Sequence, residues 1–85
     1  MSINTAEQYE IIRNSIGGNI NTIRHLVMQI DSLNALVLEM ENDDTKAKFE
    51  QNIKGLYATI NMLIDETNQL LNEAVSFATK ANQVS

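Results

Sequence analysis

The stretch that decides the fold is residues 49–84, FEQNIKGLYATINMLIDETNQLLNEAVSFATKANQV. Within it Phe49, Ile53, Leu56, Ile60, Leu63, Thr67, Leu70, Ala74, Phe77, Ala81 and Val84 follow one another at alternating steps of four and three. That spacing keeps one stripe of a helix turned toward one neighbouring helix. The segment therefore predicts a long helix built to lie along another. A second row, Tyr57, Ile64, Leu71 and Ala78, recurs every seven residues beside the main one.

Upstream, residues 5–41 carry the matching pattern. The predicted seam is Tyr9, Ile16, Ile20, Ile23, Val27, Ile30 and Val37, with Ile12, Leu26, Leu33 and Met40 widening one flank. Thr5 and Gln8 have the spacing of a capping box at its start. Gly17-Gly18 interrupts the pattern, and two glycines cost about 1 kcal/mol each relative to Ala in a helix interior. The apolar phase nevertheless carries across the pair. One helix with a soft point is expected, with Gly admitting a close helix approach as the first explanation and a hinge as the second.

The break is Glu41-Asn42-Asp43-Asp44-Thr45. Asn tolerates the left-handed conformation that ends a helix, and Asp43 or Asp44 can cap the next one. A connection this short forces the helices antiparallel. The expectation is an all-α antiparallel two-helix hairpin spanning 1–85 as one domain. Its helices run over about 5–41 and about 44–83, with a turn at about 42–44. Folding about Asp43 sets Val37 against Phe49, Ile30 against Leu56, Ile23 against Leu63, Ile16 against Leu70 and Tyr9 against Phe77. Ile53 and Ile60 complete this core. Asn34 falls near Asn52, where a polar pair would fix register.

One hairpin interface cannot cover all the apolar surface. Leu33, Leu36, Leu38 and Met40 make the end of the first helix apolar almost all round, and Tyr57, Ile64 and Leu71 lie beside the seam of the second. Surplus apolar rows mark interfaces. These seven residues are the candidate partner-binding set, and association into a four-helix bundle is expected, with a second hairpin or a larger helical protein as the partner.

Composition excludes several other functions. The chain has no Cys, no Pro and one His, with a net charge of −5 and a pI near 4.6. Thiolate chemistry and disulfides are therefore out. An acidic balance is wrong for a nucleic-acid backbone and for a basic membrane-surface helix. His25 falls on the outer side of the first helix. Glu39, Glu41, Asp43 and Asp44 cluster at the tip without the spacing or glycine of a calcium loop. No nucleophile–base pair stands out, so neither an enzyme nor a cofactor or metal site is expected. The first residues have neither the basic nor the apolar region of a signal peptide, and no segment is apolar enough to span a bilayer. Synthesis in the cytoplasm is expected, with export open by a route that needs no cleavable signal.

The run Lys46-Ala47-Lys48-Phe49-Glu50-Gln51-Asn52-Ile53-Lys54-Gly55-Leu56 resembles the post-turn stretch of the small helical hairpins of the WxG-motif family, exported by type VII secretion. Length, acidic charge, absence of Cys and two long helices are also similar. Asn42-Asp43-Asp44 stands where that family has its Trp-x-Gly turn. Ala81 stands where the acid of its C-terminal aromatic-x3-acid signal would follow Phe77. These departures bring the chain nearer to a related group, the small helical partners of LXG toxins. That resemblance implies a protein that binds the helical N-terminal domain of a larger toxin and helps target it for secretion. Two other readings share the outline: a structural subunit like a type III secretion needle protein, and a cytoplasmic regulator that binds a coiled coil.

Overall fold

The computed structural model describes residues 5–84, with side chains described for residues 6–80. The Thr5 hydroxyl of the expected capping box and the Ala81 and Val84 ends of the seam lie outside the described side chains. Two helices account for the fold: α1, Thr5–Glu39, and α2, Asp43–Val84. They pack along one another as an antiparallel hairpin measuring 65 × 22 × 14 Å. At 1.5 Å per residue, 42 residues of α2 span about 63 Å, so the longer helix sets the length of the molecule.

The turn falls earlier in the chain than the sequence suggested, at residues 40–42. α1 ends at Glu39 rather than near residue 41, closed by a bond from Met40 N–H to the Val37 carbonyl at 3.2 Å. Neither Asp43 nor Asp44 is the cap of α2. Asn42 caps it: its Oδ1 accepts from Thr45 N–H at 3.1 Å, and its carbonyl accepts from Lys46 N–H at 3.0 Å. The side chain thus satisfies a donor that the first helical turn leaves open. Asp43 and Asp44 follow inside the first turn, where negative charge meets the positive end of the helix dipole. No described residue has a positive φ, so the turn closes without the left-handed conformation expected of Asn42.

The inward stripe of α1 differs from the predicted one. Ile12, Ile16, Asn19, Ile23, Leu26, Ile30, Leu33, Val37 and Met40 face α2, at steps of four and three like those of α2 itself. Ile20 and Val27 stand exposed beside it, and Tyr9, one step before Ile12 in the same heptad, is exposed toward the open end. The reason is periodic. Only the first set keeps an unbroken heptad over the whole helix, and helix packing holds the phase even where it turns a polar Asn19 inward. The core centres on Ile30, Val37, Ile53 and Ile60, with Ile23, Leu26, Leu33, Met40, Phe49 and Leu56 packed against it. Ile16, Leu63, Leu70 and Phe77 continue the seam as half-buried residues toward the open end. There Lys80 Nζ lies 5.9 Å from the centroid of the Phe77 ring, a cation over an aromatic face.

Register is fixed by one polar layer. Asn19 Nδ2 donates to Thr67 Oγ1 at 3.3 Å, and Thr67 Oγ1 donates in turn to the Leu63 carbonyl at 2.7 Å. That pairing is the register expected from folding about Asp43, so Ile23 lies level with Leu63 and Ile16 with Leu70. The polar pair is Asn19 with Thr67, however, and not Asn34 with Asn52, both of which are exposed.

Gly17 and Gly18 lie inside a continuous α1. A Cβ built on either would meet nothing within 4 Å. They admit no close approach of the partner helix within the hairpin, which removes the explanation first attached to them.

Candidate partner-binding surface

A hairpin seam has two flanks. With the inward residues as positions a and d of each heptad, the residue after each d forms the e flank and the residue before each a forms the g flank. Reversing one helix reverses both its direction and the hand in which its residues wind, seen from one end. Like flank therefore lies beside like flank, and both e rows share one side of the hairpin.

The two sides differ sharply in chemistry. On the e side, α1 contributes Arg13, Ile20, Val27 and Asn34, and α2 contributes Glu50, Tyr57, Ile64, Leu71 and Ala78. On the g side stand Ser15, Thr22, Gln29 and Leu36 from α1, with Asn52, Thr59, Glu66, Glu73 and Lys80 from α2. Five large apolar groups thus form one continuous e-side patch: Ile20, Val27, Tyr57, Ile64 and Leu71. Their exposures lie between 42% and 51%. Each is half sheltered by its neighbours, and covering the remainder would add part of the roughly 1.5–3 kcal/mol that full burial of such a side chain contributes. Patches of this kind mark protein–protein contacts on otherwise polar molecules.

The seven candidate binding residues sort into four groups. Tyr57, Ile64 and Leu71 lie together on the e side. Leu33 and Met40 are half-buried and pack against the hairpin core, because they continue the α1 heptad that the core uses. Leu36 is exposed on the opposite, g side. Leu38 stands on an outer row, 86% exposed. The apolar end of α1 is therefore not one patch. Ile20 and Val27 belong to the exposed e-side patch but were assigned to the seam by sequence. The signal that separates them is the sevenfold recurrence of Ile12, Asn19, Leu26, Leu33 and Met40, which holds only if Asn19 is accepted as an inward residue.

Two shallow grooves run along the g side. One is lined by His25, Met28, Gln29, Ser32 and Leu33, the other by Thr59, Met62, Leu63, Asp65, Glu66 and Gln69. Both are open to solvent and built mainly from a single helix, so neither encloses a reactant. His25 and the acids at the tip are exposed. Among the described residues no three His, Cys, Asp or Glu side chains are grouped to hold a metal ion, and no helix is long and apolar enough to cross a membrane. Among the described residues no polar side chain is buried without a partner. Compared with known proteins, the chain matches no family model, no curated protein and no solved structure.

Proposed function

We propose that this chain is a non-enzymatic helix–helix binding protein, the small partner of a larger effector with a helical N-terminal domain, acting in type VII secretion. The observation that supports the reading is the one-sided apolar surface of Ile20, Val27, Tyr57, Ile64 and Leu71. A hairpin that lends such a side to two further helices completes a four-helix bundle. Its mechanism is cover: it removes from water the apolar stripes that both partners would otherwise expose. The secretion setting draws on the likeness of Lys46–Leu56 and of the hairpin form to the small partners of LXG toxins.

The one-sidedness also bears on the needle-like alternative. Open-ended assembly needs two different complementary surfaces on each subunit. Here the contiguous apolar rows occupy one side, and the other side is mostly Ser, Thr, Asn, Gln and Glu.

The test is co-expression with the helical N-terminal region of a large effector encoded beside this chain. The native hairpin should co-purify with it, and Ile64→Asp should not, while helix content by circular dichroism stays unchanged. Leu36→Asp, on the g side, should bind as the native chain does. Binding that survives Ile64→Asp but is lost in Leu36→Asp would overturn the reading of the surface. No binding by the native chain would overturn the function.

A further inference from the structure

We infer that the hairpin is built in two parts, and that the outer part opens on its own. Residues 5–16 of α1 form a strap that lifts from the far end of α2 while the turn-side half stays paired. The opening is a property of the lone chain, and it stands or falls separately from the function proposed above.

Both helices are weak at one level. In the register fixed by Asn19 and Thr67, Gly17, Gly18 and Asn19 lie level with Gln69, Asn68 and Thr67. On α1 the two glycines favour the unwound chain. There Thr22 Oγ1 also donates to the Gly18 carbonyl at 3.0 Å. On α2 Thr67 Oγ1 makes the same kind of bond to the Leu63 carbonyl. Such bonds draw on carbonyls that the helix itself uses, and they often bend it. Between the helices this layer is polar, whereas the layers from Ile23–Leu63 to Val37–Phe49 are apolar.

The core lies wholly on the turn side of that level. Ile30, Val37, Ile53 and Ile60 are there, together with the side chains packed against them. On the open side Ile12 is buried but stands apart from this cluster, level with the small Ala74. Ile16, Leu70 and Phe77 are only half-buried. A lone helix of twelve residues, the length of Thr5 to Ile16, is marginal in water, so the strap unwinds once it lifts. Close packing within the hairpin does not account for Gly17 and Gly18, since an added Cβ meets nothing at either. A root at which the strap unwinds does. Its departure uncovers Leu70, Ala74 and Phe77 next to the Leu71 end of the e-side patch, which lengthens the apolar face of α2.

Native-state hydrogen exchange on the full chain tests the division, because segments that open together share one protection. Amides 9–16 and 70–80 should share an opening at least about tenfold more frequent than that of amides 26–37 and 49–60. Replacing Gly17 and Gly18 together by Ala should slow exchange of amides 9–16 roughly 15- to 30-fold. Gly55→Ala is the control. Gly55 is equally exposed and has the same empty space around it, but it lies on the core side, so its replacement should leave amides 9–16 unchanged. Three results would overturn the inference. The first is one protection common to all four sets, and the second is a residue-by-residue decline toward the helix ends with no shared value. The third is an equal response of amides 9–16 to Gly55→Ala and to the double replacement.

Discussion

Replacing Gly17 and Gly18 together by Ala should stabilise the hairpin substantially. Both residues lie in a continuous helix and are exposed, and an added Cβ meets nothing within 4 Å at either position. No steric term therefore opposes the change. Each Gly→Ala in an exposed helix interior contributes about 0.8–1 kcal/mol, chiefly by reducing the freedom of the unfolded chain. The pair should yield roughly 1.5–2 kcal/mol. For a domain of this size that corresponds to a rise in melting temperature of about 6–15 °C. Thermal and urea unfolding followed by circular dichroism would measure it, at matched protein concentration because association also raises apparent stability. An unchanged or lowered melting temperature would refute the reasoning. It would mean that the two glycines are kept for a bend or an approach that the lone hairpin does not contain. The double variant should be assayed for effector binding as well, since a gain in stability with a loss of binding would place the glycines against the partner.

Four further outcomes follow from the packing. Asn42→Ala removes the side-chain acceptor for Thr45 N–H and should cost about 1 kcal/mol in urea unfolding. Ile30→Ala, at the most buried position of the core, should cost about 2–4 kcal/mol. Leu38→Ala should change the stability of the lone hairpin by less than about 0.5 kcal/mol, since that side chain is 86% exposed. Asn19→Leu should raise thermal stability by replacing the polar layer with an apolar one while loosening register, which paired spin labels on the two helices would report as a broadened distance distribution.

The hairpin itself was legible because α2 repeats its heptad without interruption and the short turn leaves only one way to pair the helices. The alignment of Ile23 with Leu63 could be read directly from the position of the turn. The phase of α1 was harder to read. Ile20 and Val27 are good core residues by type, whereas Asn19 is a poor one, so hydrophobicity alone turns the helix by one residue toward the wrong flank. Packing settles the matter differently, because a helix cannot change phase for one Asn while eight other residues hold the stripe. That single residue hid the α1 half of the exposed apolar patch. The same error made Leu33 and Met40 look surplus when they belong to the core. The cap was missed for a smaller reason. Asn42, Asp43 and Asp44 all have side chains suited to the role, and only the backbone decides which of them precedes the first helical turn.

Co-purification of the native chain, Ile64→Asp and Leu36→Asp with the helical N-terminal region of the effector tests most directly whether the e side is the binding surface. The native chain and Leu36→Asp should be retained and Ile64→Asp lost. Retention of Ile64→Asp, or no retention of the native chain, would contradict it.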